Sequence, residues 1–177
     1  MTTEANAAAI VFLEEALAAQ GMDVSLITAS PEIPYDVLMV GIEAVEDEAG
    51  AWGLELSFLP SLEEELGDTA LLQCFASLRV EVADGAEAEL MRVIALVNAK
   101  LPLVGFGYLA PQKLAFFRHV LMLSRANQIV TSQLVTESVY MIGYLLNTFA
   151  GTITSVAGGQ ETVDAAIAKS PYGALYT

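Results

Sequence analysis

Between Ser138 and Ala157 the chain runs for twenty residues without a charged side chain. A stretch of that length can cross a bilayer as a helix, so it belongs either in lipid or at the centre of a folded unit. Its composition favours the folded unit. Asn147, Thr148, Thr152, Thr154 and Ser155 dilute it, Gly143 and Gly151 interrupt it, and neither flank carries the basic residues or aromatic belt that anchor a span. From Gln128 to Ala157 the apolar residues Val135, Val139, Ile142, Leu146, Phe149 and Ile153 recur at spacings of three and four. That period predicts an amphipathic helix, buried in a core or at a dimer contact, with membrane association as the alternative.

The rest of the chain must supply the surface on which such a helix packs. Residues 3–20 carry Ile10, Leu13 and Leu17 at helical spacing, and Gly21 supplies the stop. Residues 22–29 are short and rich in β-branched side chains, a strand that gives way at Ser30-Pro31 to a loop extended by Pro34. Tyr35 to Val45 and Trp52 to Leu59 come next. In the second, Trp52, Leu54, Leu56 and Phe58 alternate with Gly53, Glu55 and Ser57, the period of a strand with one buried face, and the pair predicts an antiparallel hairpin. Pro60-Ser61-Leu62-Glu63-Glu64-Glu65 reads as a turn whose glutamates suit a solvated helix start. A strand is expected over Ala70 to Val82, closed by Asp84-Gly85, and a helix from Ala86 to about Lys100 with Leu90, Val93, Ile94 and Val97 as its stripe. Two strands, Leu103 to Leu109 and Leu114 to Leu123, flank the turn Ala110-Pro111-Gln112. Gly158-Gly159 separates the long helix from a short one over residues 162–169 and a loosely ordered tail. No linker or short repeat divides residues 1–177, which read as one α+β domain: an antiparallel sheet flanked by helices in the order α-β-β-β-(β)-α-β-β-α.

The strand over Leu114 to Leu123 is apolar on both sides, with Leu114, Phe116, Val120 and Met122 on one and Phe117, Leu121 and Leu123 on the other. It needs cover twice, from a helix on each face or from its own core on one face and a partner on the other. Under the second reading the expected partner contacts are Phe106, Tyr108, Phe117, His119 and Leu121, with Tyr140 and Tyr144 of the long helix.

Charge narrows the partner. Seven Lys and Arg stand against 22 Asp and Glu, a net charge of -15. Affinity for phosphate backbones comes from clustered cations, so nucleic acid is excluded, and anionic membrane surfaces are disfavoured for the same reason. Such a balance fits a well-solvated acidic surface or steering toward a basic partner. Cys74 is the single cysteine, which leaves no intramolecular disulfide and no thiolate zinc site. Its apolar flanks suggest a buried small hydrophobe. Ala7 to Leu13 is apolar, but Glu4 stands where a secretory signal would be basic and Glu14-Glu15 cut the apolar run short, so a cytoplasmic address is expected.

Catalytic groups are scarce. A Ser, Cys or Thr nucleophile needs a neighbouring base, and the one histidine, His119, lies in an apolar strand beside Arg118, where a hydrogen-bonded structural role is expected. No calcium-loop spacing is present; Glu46-Asp47-Glu48 resembles one only in charge. Gly105-Phe106-Gly107 has the first two glycines of a dinucleotide fingerprint but leads into no helix. No catalytic, metal or cofactor site is therefore expected.

The block order, the length and the acidic balance resemble the YbjN family of bacterial sensory-transduction regulators. So does the stretch from Val97-Asn98-Ala99 through Phe106 and Phe116-Phe117-Arg118-His119-Val120 to the long final helix. The resemblance covers most of residues 4–150. It implies a fold like that of type III secretion chaperones: small, acidic, commonly dimeric α+β units that hold an extended client segment against apolar surface. It further implies a homodimer with a protein client or regulatory partner. The apolar final helix departs from the more charged one of that family, which bears on which dimer or client surface is used. The expectation is a non-enzymatic binding module, chaperone-like or regulatory. The alternative is a small-ligand-binding protein or enzyme with an acidic pocket that no motif marks.

Overall fold

The computed structural model describes residues 2–43, 52–59, 67–78 and 80–170. In chain order the elements are α1 (Thr2–Ala18), β1 (Asp23–Ile27), β2 (Val37–Ile42), β3 (Trp52–Phe58), β4 (Thr69–Ser77), α2 (Glu87–Asn98), β5 (Phe106–Leu109), a 3-10 turn (Ala110–Gln112), β6 (Leu114–Ser124), α3 (Gln128–Ala157) and α4 (Val163–Lys169). The strands form one antiparallel sheet in the order β1-β2-β3-β4-β6-β5, an α+β architecture. The segment 60–65 expected to turn and the acidic run 46–48 lie outside the described residues.

Register sorts every side chain to one of two faces. Leu38 pairs with Leu56, Leu56 with Cys74, and Cys74 with His119, so one row runs across four strands on a single side. The neighbouring rows put Val40, Leu54, Ala76, Phe117, Leu72 and Leu121 on the same side. Apart from the half-buried His119, these residues are buried with the stripes of all four helices in one cluster, which includes Leu13 and Leu17 of α1, Leu90 and Val97 of α2, Ile142 and Phe149 of α3, and Ile167 of α4. The uncharged stretch is thus the axis of the helical layer. By length and composition alone α3 could cross a membrane; here its inner stripe lies against the sheet.

Local chemistry fixes the ends of these elements. Gly21 takes φ +80°, a left-handed conformation that side chains resist, and stops α1. Asn127 caps α3 by accepting the amide of Val130 (3.2 Å), and Thr162 caps α4 through the amide of Ala165. Asn98, at the end of α2, acts as a surrogate strand: its Nδ2 donates to the Phe106 carbonyl (2.8 Å) and its Oδ1 accepts the Phe106 amide (3.2 Å). In α3, Asn147 accepts from Trp52 Nε1 (3.1 Å) and donates to the Glu43 carbonyl (3.0 Å), tying the helix to both ends of the β2–β3 hairpin loop.

Two expected strands are shorter than their patterns. The fourth strand ends at Ser77, not Val82. Leu78 still donates to the Ala115 carbonyl (2.9 Å), but the chain then leaves the sheet, and Ala83 donates to Ala157 at the end of α3 (2.9 Å). Leu78 and Val82 are buried by that path without a ladder. The fifth strand begins at Phe106, not Leu103.

Candidate functional site

Helices cover only one face of the sheet among the described residues, which corrects one of the two covers expected for β6. The opposite face is built from the outward positions: Ile27 of β1, Val37 and Met39 of β2, Glu55 and Ser57 of β3, Leu71, Gln73 and Phe75 of β4, and Phe116, Arg118, Val120 and Met122 of β6. An antiparallel sheet with one solvated face ordinarily carries polar side chains there. Asp23 and Ser25 on the edge strand and Thr69, Ser77 and Ser124 at strand ends make the margin of this one polar, and its centre is mainly apolar. Met122 is 67% exposed and Ile27 41%, while the rings of Phe75 and Phe116 stack at 5.5 Å and 22°. Arg118 Nε donates to Gln73 Oε1 at 2.6 Å across the same surface.

Gly107 of β5 and Gly105 just before it belong to this arrangement. A Cβ on Gly107 would stand 2.4 Å from the Phe116 ring, and one on Gly105 would stand 2.7 Å from the Arg118 carbonyl oxygen. Both are absent so that β6 can lay its aromatic rings and backbone against β5. That packing accounts for the Gly105-Phe106-Gly107 pattern with no phosphate.

One end of the open face is roofed. The loop between β1 and β2 is braced internally: Ala29 donates to Asp36 Oδ1 (2.8 Å), Ser30 N donates to the Ile33 carbonyl (2.7 Å), and the Ser30 hydroxyl accepts the amides of Glu32 and Ile33. It carries Ile33, Pro34 and Tyr35 over the sheet, so Val37 is only 6% exposed despite its outward position. Between loop and sheet lies a groove of about 550 Å³ with Glu55, Ser57, Gln73 and Phe75 along its floor. Burial pushes the Glu55 carboxyl above its ordinary pKa. Ser57 is 5% exposed. Neither side chain meets a hydrogen-bond or ion-pair partner among the described residues.

The residues singled out from sequence fall elsewhere. Phe106, Phe117 and Leu121 are buried, the first two in an edge-to-face pair at 5.1 Å, and they present no surface to a partner. Parity is the cause: they point inward, while their neighbours Phe116, Val120 and Met122 point out. His119 also points inward, opposite Cys74, half-buried and, among the described residues, without the hydrogen bond expected of it. Tyr108 is partly buried against the core and donates to Glu87 Oε1 (3.1 Å); desolvation, then that carboxylate, raises its pKa. Tyr140 and Tyr144 are exposed on α3, in the helical layer and so across the sheet from the open face. The roofed groove with Glu55 and Ser57 was not among the expected sites, and its one trace in the sequence is the polar half of the Trp52–Phe58 alternation.

A second recess of about 220 Å³ lies between α1 and the start of α3, lined by Ala8, Phe12 and Leu123 and closed by Arg125 donating to Asn6 (2.8 Å). Among the described residues no three His, Cys, Asp or Glu side chains gather to hold a metal ion. No family model, curated protein or solved structure matches the chain.

Proposed function

We propose that the protein is a non-enzymatic binding module, chaperone-like or regulatory, that holds an apolar segment of a protein partner on the open face of its sheet. The observation that carries this reading is the identity of the outward side chains. Met39, Leu71, Phe75, Phe116, Val120 and Met122 stand where a free-standing antiparallel sheet would present polar groups, and exposed apolar surface of this kind, set among polar groups, marks an interaction site. The module needs no chemistry of its own. Its contribution is a preformed surface, which spares a partner part of the ordering cost of binding. Phe116→Asp with Met122→Asp tests the reading: loss of an extended apolar peptide with the fold intact is expected, and undiminished binding would sink it.

A homodimer is favoured by the outer stripe of α3. Val130, Leu134, Met141 and Tyr144 recur at intervals compatible with a heptad seam, and all four are at least 40% exposed. Glu137 is the one charge among them. At a net charge of -15, two copies repel least across their least charged face. Light scattering is expected to return twice the chain mass, and Leu134→Glu with Met141→Glu is expected to return the single mass. A chain that stays monomeric at high concentration would exclude this contact.

A further inference from the structure

Resting on the open-face reading, the geometry points to a more specific occupant: we infer that the roofed groove takes a lysine or arginine side chain of the bound segment, with Glu55 as its counter-charge and the Ser57 hydroxyl as a hydrogen-bond acceptor. The two charged groups in the groove lining, Glu32 and Glu55, are both carboxylates. Glu32 is already engaged by the Ser30 hydroxyl (2.9 Å). Glu55 is engaged by nothing among the described residues, although it is half-buried between Met39 and Phe75 in the cross-strand register. A carboxylate withdrawn from water without a partner is destabilising, and its persistence is accounted for when a cation completes it on binding. Ser57 repeats the pattern with a buried hydroxyl that meets no partner among the described residues.

The walls suit the stem of a basic side chain. Tyr35 and Phe75 supply aromatic faces that attract a cation, while Ile33 and Val37 supply apolar surface for its methylenes. Arg118 sits one strand beyond Phe75 in the same row, its backbone about two strand spacings, ~10 Å, from that of Glu55, and its guanidinium is held by Gln73 Oε1. Arg118 is exposed, so solvent and salt screen its repulsion of an incoming cation. The overall charge of -15 acts in the same sense by raising the encounter rate with basic segments.

The test uses the full chain and three capped, fluorescently labelled decapeptides that alternate valine and threonine around a central lysine, norleucine or glutamate. Fluorescence anisotropy is expected to show the lysine peptide binding about tenfold more tightly than the norleucine peptide, about 1.4 kcal/mol, with no binding of the glutamate peptide. Glu55→Gln is expected to erase the lysine preference by weakening the lysine peptide; Ser57→Ala is expected to reduce the preference in part. At molar salt the preference is expected to shrink while the norleucine affinity holds. Equal binding of the lysine and norleucine peptides, or a lysine preference that survives Glu55→Gln, overturns the inference and leaves the apolar-face reading standing. Failure of all three peptides to bind overturns both.

Discussion

Phe116 and Phe117 are adjacent, chemically identical and assigned to opposite faces, so their truncation tests the two-face description directly. Phe117 is fully buried and packs edge-to-face on Phe106 at 5.1 Å. Removing such a ring forfeits its transfer energy and leaves a cavity, about 3–5 kcal/mol for Phe→Ala, a large share of the roughly 5–15 kcal/mol that holds a domain folded. Phe116 is half-buried on the outer face, and its specific contact is the stack on Phe75 at 5.5 Å, a contact of about 0.5–1.5 kcal/mol. The two variants should therefore differ by about 1.5 kcal/mol or more, over about tenfold in the unfolding equilibrium. Urea unfolding followed by the fluorescence of Trp52, the sole tryptophan and a nearly buried one, reads that difference as a shift in midpoint at constant slope. Phe117→Ala should lose stability, while Phe116→Ala should keep most of it and lose apolar-peptide binding. Equal losses of stability would mean that the outer face is covered, and a covered face has no room for a partner segment.

Three further outcomes are expected. Gly105→Ala should cost about 1–3 kcal/mol, because its Cβ meets the backbone of Arg118, which cannot yield; Gly107→Ala should cost less, because the Phe116 ring can swing outward, and thermal melts of the pair rank them. Cys74, whose thiol burial pushes up to about 12, should resist a disulfide reagent at pH 8 in the native state and react fully in urea; prompt native labelling would show that β4 opens. Burial raises the Glu55 pKa in the folded state, so the native form holds this proton better than the unfolded form and loses stability as pH rises from the ordinary carboxylate range through the folded pKa. Glu55→Gln should therefore stabilise the protein at neutral pH and do so progressively less as pH falls through the folded pKa into the ordinary carboxylate range, which Tm measured across pH checks; a destabilised variant at neutral pH would mean that Glu55 is paired.

Much of this fold is readable because short-range pattern and long-range packing agree. The alternation from Trp52 to Phe58 and the stripe Leu90, Val93, Ile94, Val97 each name the face that becomes buried. The same rule misleads at Leu78, Val80 and Val82, where alternation comes from an extended chain passing beneath the end of α3 and not from a ladder. In β6 the pattern declares two apolar faces but not which one the helices take, since that depends on how α1, α2 and α3 stack on one another. A partner surface expected at Phe117 and Leu121 follows from that ambiguity. The bonds of Asn147 to Trp52 and Glu43 span about a hundred positions of sequence, and the roofing of Val37 by its own loop depends on turn hydrogen bonds that composition does not disclose.

The longest ladder in the sheet joins β4 to β6 from Thr69–Ser124 to Ser77–Phe116, with α2 and β5 contained in the loop it closes. Strands β1 to β4 are a local meander that needs little loop closure, whereas docking β6 must first overcome the entropy of a long excursion. The outward surface is divided across that seam: Met39, Glu55 and Phe75 arrive with the meander, and Phe116, Val120 and Met122 arrive with β6. A chain without β6 therefore lacks Phe116, Val120 and Met122 and with them the aromatic stack, so the complete outward surface exists only where that closure has been made.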